Sequence, residues 1–145
     1  MNLFTIGFTK KNAENFFETL REAKVKRVID VRLNNISQLA GFSKRDDLKY
    51  FLQKICNIEY VHLSLLAPDQ RMLDAYRKDG GTWVDYEIAF NRLMAQRNIG
   101  ASLPVSILDG SCLLCSEEKP DFCHRRLVSD IAQHLYPELE VRHLV

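Results

Sequence analysis

The chain has 145 residues, a formal charge of +1 and an apolar fraction of 46%, which together exclude a disordered tail and fit one α/β domain spanning 1–145. That length buries most of its apolar surface without staples. A charge so close to zero excludes a global field that gathers nucleic acid or membrane, so any anion recognition has to be local.

In chain order, the first apolar run is Leu3 to Phe8, a strand that ends near a glycine. Residues 13–24 place Phe16, Phe17, Leu20 and Ala23 on one helical face. Val25 to Arg32 is a second strand. Residues 44–56 form a helix with Leu48, Phe51, Leu52 and Ile55 inward, and Ile58 to Leu63 is a third strand. Two helices are expected next, over Pro68 to Lys78 and Trp83 to Arg97, parted by Gly80-Gly81. The segment 99–111 is apolar but broken by Pro104 and Gly110, and reads as an extra strand or a surface loop. Ser111 to Cys115 is a wholly apolar strand, hence central. Residues 120–136 read as a helix with Pro120 near its first turn and a stripe of Leu127, Ile131 and Leu135. Residues 139–145 close the chain as a fifth strand.

Alternating strands and helices with short connections predict a single three-layer domain: a mainly parallel sheet of about five strands with helices on both faces, Rossmann-like. Ligands of such sheets bind at the carboxyl ends of the strands. Thr9, Arg32, His62 and Cys115 all fall at or near those ends. The N-terminus lacks the basic start and long apolar run of a secretory signal, and no stretch is long enough to span a bilayer. We therefore expect a cytoplasmic protein without a membrane partner, its four cysteines thiols rather than disulfides.

Three of those cysteines lie in Cys112-Leu-Leu-Cys-Ser-Glu-Glu-Lys-Pro-Asp-Phe-Cys-His-Arg-Arg126. The C-x-x-C spacing suggests half a zinc site, with Cys123-His124 as the other half. The expected elements argue against it. Residues three apart on a strand face opposite ways, so Cys112 and Cys115 diverge. Neighbours on a helix diverge by about 100°, so Cys123 and His124 would too. We therefore expect no metal and no cofactor. Cys112 and Cys56 read as small core residues. Cys123, in the first turn of a helix and beside Arg125, Arg126 and His124, is the expected reactive thiolate. Its plain alternative is a cysteine packed inward. Glu117 suits a general acid or base, or a helix cap. His124 suits a proton shuttle or a carbonyl bond. Arg125 suits a substrate anion, and Asp30 and Arg32, two apart on one strand, suit a structural pair as well as a site.

These motifs resemble the family of domain of unknown function 488, DUF488. The resemblance rests on Thr5-Ile6-Gly7, on Asp30-Val31-Arg32 followed by Ser37 and Phe42, and on Leu113-Leu114-Cys115, Glu117, Pro120 and Cys123-His124-Arg125. It implies a compact α/β domain with a polar pocket built from strand ends, and no named reaction. Four positions depart from the family pattern: Phe8 for its histidine, Thr9 for its serine, and Asn35 and Gln38 for its proline and arginine.

Three functions compete. The first is an enzyme acting on a nucleotide, nucleic acid or other anionic small molecule, with Cys115, Glu117, Cys123 and His124 catalytic and Thr9, Asp30, Arg32, Ser37 and Arg125 binding substrate. The second is a non-catalytic module that senses a nucleotide or redox state, favoured by the lost histidine and arginine. The third is a small structural zinc protein. There is no glycine-rich phosphate loop, and neither Cys115 nor Cys123 has an arginine six residues on. Oligomeric state is not encoded in any pattern we recognise.

Overall fold

A computed structural model describes residues 1–36, 41–117 and 119–145. Five strands form one sheet, all pairs parallel, in the order β3-β2-β4-β1-β5. They are β1 (Asn2–Gly7), β2 (Arg27–Asp30), β3 (Glu59–His62), β4 (Ser111–Cys115) and β5 (Glu140–His143). The helices are α1 (Ala13–Glu22), α2 (Arg45–Phe51), α3 (Gln70–Arg77), α4 (Trp83–Gln96), α5 (Val105–Leu108) and α6 (His124–Leu135). Among the described residues no helix is long and apolar enough to cross a membrane.

The apolar strand β4 is central, as its composition predicts: all five of its residues are buried. Strand alternation sends Phe4, Ile6, Val28, Cys112 and Leu114 to one face, where Phe16, Phe17 and Leu20 of α1 and Leu48 of α2 cover them. Each such side chain contributes about 1.5–3 kcal/mol by leaving water. Leu3, Ile29, Val31, Leu113 and Cys115 face the other way, under Tyr86, Phe90 and Met94 of α4 and Leu127, Val128 and Ala132 of α6. The chain leaves β1 for the β2 side of the sheet and leaves β4 for the β5 side. The point where the winding reverses therefore lies between the carboxyl ends of β1 and β4.

Helix starts follow their caps. Asn12, Asp69 and Thr82 accept from the backbone N–H three residues on. Three expectations are corrected. Up to Ser111, where β4 begins, the segment 99–111 holds neither an extra strand nor a bare loop: a 3-10 turn (Ile99–Ala101) leads to α5, opened by Pro104 with its preset φ. Ile55 is 50% exposed, because a π turn over Leu52–Cys56 widens the end of α2 and rotates Ile55 off the core. On α6 the inward stripe is Leu127, Val128 and Ala132, while Leu135 is exposed. The helix starts four residues later than Pro120 suggests.

Candidate functional site: a buried Cys-Cys-His cluster

Cys115 is the last residue of β4, opposite Gly7. Cys112 and Cys115 belong to the two opposite core faces, so the C-x-x-C pair does diverge. Cys123 and His124 do not. Cys123 is the residue before α6, with extended backbone (φ −136, ψ 138), and His124 is the first helical residue. The about 100° rule for helical neighbours does not apply across that junction. As a result one side-chain donor atom from each of Cys115, Cys123 and His124 lies within 4.8 Å of the others, all three residues buried.

The cluster has a defined hydrogen-bonding order. His124 Nε2 lies 2.6 Å from the Val31 carbonyl oxygen. A carbonyl only accepts, so Nε2 carries a proton and Nδ1 is the nitrogen turned to sulfur, 3.5 Å from Cys115 Sγ. Hydrogen bonding from the Cys123 thiol lowers the pKa of Cys115 well below the usual thiol range. Burial opposes that shift, while the His124 charge and hydrogen bond and the Ser116 backbone reinforce it. For Cys123, burial and then the Cys115 sulfur push the pKa well up. His124 loses by burial, but the neighbouring sulfur and the Val31 carbonyl outweigh the loss and raise its pKa. These directions, with the His124 Nδ1 contact, favour Cys115 over Cys123 as the thiolate, where the sequence reading expected Cys123. What decides is which sulfur receives the hydrogen bonds. Burial raises the pKa of Cys112 and, less, of Cys56.

The other expected site residues among those described, Asp30, Arg32, Arg125, Thr9 and Glu117, lie at or just after strand ends or by the start of α6 and are differently engaged. Asp30 and Arg32 form a bidentate pair, Arg32 Nε and Nη2 each donating over 2.9 Å to the two carboxylate oxygens. The Tyr60 hydroxyl donates to the same carboxylate and accepts from Asn35 Nδ2. Burial works against the Arg32 charge, and the Asp30 bonds outweigh it. The Arg32 guanidinium lies 5.4 Å from the centre of the Phe8 ring. Asp30 continues the Val28 side of β2, whereas Cys115 shares the Ile29 and Val31 side. The Arg32 charge nevertheless lies near enough to Cys115 for that sulfur to help raise its pKa.

Arg125 is fully buried. It donates from Nε to Thr5 Oγ1 at 3.3 Å, and from Nη1 to the Glu117 carbonyl. Thr9 is exposed, and its backbone N–H donates to the Ser116 carbonyl at 3.0 Å. The winding reversal between β1 and β4 is thus filled from within: a Cβ on Gly7 would overlap the Glu117 carbonyl oxygen and meet the Arg125 guanidinium. Ser37 and Gln38 lie outside the described residues.

What opens toward the thiols is a cavity of about 20 Å³ lined by Cys115, Glu117, Cys123 and His124, room for about one water. Its remaining walls are Leu73, Tyr76, Arg77, Trp83, Tyr86 and Phe122. Glu117 and Arg77 meet across 3.7 Å, both half-exposed. The Trp83 ring stacks on Tyr86 at 5.0 Å and meets Phe122 edge-on at 5.7 Å. Phe122 is 63% exposed, although it lies in the cysteine-rich segment. Sequence reasoning missed Tyr60, Arg77, Trp83 and Phe122. Only an unpaired aromatic such as Phe122, in a loop of polar residues, offered a signal. The wider grooves, about 570 Å³ between α4 and α6 and about 490 Å³ between α3 and α4, contain no cysteine.

No curated protein and no solved structure matches the chain. The family described as "Domain of unknown function DUF488" matches residues 12–132, a span holding the Asp30-Val31-Arg32 strand end and the whole cysteine segment. The chain belongs to the DUF488 family.

Proposed function

We propose that the protein is a thiol-dependent enzyme acting on a small anionic substrate, a nucleotide among the candidates. Cys115 is the nucleophile and His124 its proton partner. The observation that carries this reading is Cys115 Sγ at 3.5 Å from His124 Nδ1, with the far side of the ring fixed on the Val31 carbonyl. A nucleophile, a base within reach and a third group that orients the base make up the arrangement such chemistry needs. His124 Nδ1 would take the Cys115 proton, the sulfur would bond to an electrophilic carbon or phosphorus as the bond to the departing group breaks, and Nδ1 would pass that proton to the departing group. Water would then displace the sulfur and restore the thiol. Cys123 holds Cys115 as the thiolate. Substrate would reach the thiols past Trp83 and Phe122, which offer ring faces, and past Arg77, which offers a cation. Arg32 and Arg125, expected as anion holders, are buried and engaged with Asp30 and with Thr5 and Glu117, whereas Arg77 is half-exposed beside Glu117, so substrate would meet Arg77 and displace that surface pair. A thiol centre of this kind stays reduced in the cytoplasm, the compartment this reading assigns.

The closeness of the two sulfurs favours one second reading, a non-catalytic redox sensor. Brief labelling with a small thiol reagent, followed by peptide mapping, tests the nucleophile. Cys115 should carry the first label, and Cys115→Ser should abolish the fast phase. Inorganic phosphate or a nucleoside monophosphate should slow it in the wild type but not in Arg77→Ala. A first label on half-exposed Cys56, with Cys115 untouched, would overturn the enzyme reading.

A further inference from the structure

We infer that Cys115 Sγ, Cys123 Sγ and His124 Nδ1 form a binding site for one thiophilic divalent cation, Zn²⁺ above all, and that loading it silences the thiol centre. The binding stands on geometry alone; only the silencing rests on Cys115 being the nucleophile.

Four observations support the site. First, donor atoms of three ligand-type side chains lie within 4.8 Å of one another. A tetrahedral zinc with Zn–S of about 2.3 Å and Zn–N of about 2.0–2.1 Å sets its S and N ligands about 3.5 Å apart. The Cys115 Sγ to His124 Nδ1 separation is 3.5 Å, so that edge of the tetrahedron already exists. Second, the imidazole is anchored by Nε2 on the Val31 carbonyl, which leaves Nδ1 for the cation. A metal-bound histidine characteristically gives its other N–H to such an acceptor. Third, two sulfurs with one nitrogen select zinc over magnesium or calcium, which prefer oxygen. Fourth, the three residues border the cavity of about 20 Å³. Three protein ligands with a water-sized space beside them match an open coordination position, not a closed structural site.

The consequence for chemistry follows from electron pairs. A cation at this point displaces the Cys123 thiol proton to solvent, draws the lone pairs of Cys115 and Cys123 into coordination and takes the Nδ1 lone pair from proton transfer. Metal and nucleophilic attack by Cys115 therefore exclude one another, and free zinc would act as a reversible inhibitor. The ligand set differs from the C-x-x-C arrangement suggested by spacing: Cys112 faces the opposite core and takes no part.

The test uses the full chain, reduced and freed of metal with a chelator, titrated with Co²⁺ as a spectroscopic probe. We expect one equivalent to produce a thiolate-to-cobalt charge-transfer band with tetrahedral visible bands, and one equivalent of Zn²⁺ to abolish both. Cys123→Ser and Cys115→Ser should each weaken Co²⁺ binding by more than about tenfold, since even an outer-shell partner is worth about 10–100-fold. Cys112→Ser serves as the control and should bind like the wild type. Circular dichroism of each variant confirms the fold. No charge-transfer band at stoichiometric cobalt would overturn the metal site, as would a band that survives in both Cys115→Ser and Cys123→Ser. The thiol reading fails separately. If the metal-free protein shows no fast labelling of Cys115, the nucleophile falls while the cobalt band stands. If labelling is fast but zinc does not slow it, the silencing falls.

Discussion

At the residue scale, Asp30 and Arg32 form a buried ion pair at the edge of the sheet, capped by the partly buried Tyr60. Side-chain exposure is 0% for Asp30 and 5% for Arg32, so neither charge has water to fall back on. Removing the guanidinium strands the carboxylate. Arg32→Ala should cost about 3–5 kcal/mol in urea unfolding, whereas replacing both partners by apolar residues of similar size should cost much less. A loss below about 1 kcal/mol for Arg32→Ala would mean that water or another cation reaches Asp30. The sequence showed these two residues on one face of one strand but could not choose between anion site and ion pair. That choice depended on Tyr60, thirty residues away, whose hydroxyl occupies the carboxylate. Cys115 and Cys123 show the same limit. Both were legible as candidate site residues, yet which sulfur would hold a negative charge depends on who donates to whom, and donors come from other elements.

At the element scale, most strands and helices were legible because period and punctuation agree, as at Thr82 before α4 and at the apolar run of β4. The failures lie where one residue changes the backbone. The start of α6 moved from Pro120 to His124 because Cys123 remains extended, and that shift alone turns two diverging side chains into converging ones. The β4–α6 connection is held in place from β1: the Glu117 carbonyl sits over Gly7 and accepts from Arg125. A methyl group has no room there, and the obstacle is backbone rather than a flexible side chain. Gly7→Ala should therefore destabilise the protein by about 1–3 kcal/mol, the usual range for overpacking. It should also change the rate of Cys115 labelling by displacing the loop that carries Glu117. Wild-type stability in Gly7→Ala by thermal and urea unfolding would show that the loop does not need this contact.

At the scale of the whole molecule, alternation along the chain predicts a parallel sheet and two covered faces, but not the order β3-β2-β4-β1-β5. Order depends on which way each crossover turns, and no local pattern records that. It matters for the site. The reversal between β1 and β4 is filled by the loop and by Arg125, and the Cys-Cys-His cluster lies beside it, on the α4 and α6 face. The central claim is that Cys115 and Cys123, eight positions apart, meet at that edge while Cys112 faces away. Mild oxidation of the metal-free protein, followed by disulfide mapping, tests this most directly, since a bridge needs Cα atoms within about 7 Å. The account predicts one intramolecular Cys115–Cys123 bridge, slowed by prior addition of Zn²⁺. A Cys112–Cys115 bridge, or a Cys115 that forms no bridge with Cys123, would contradict it.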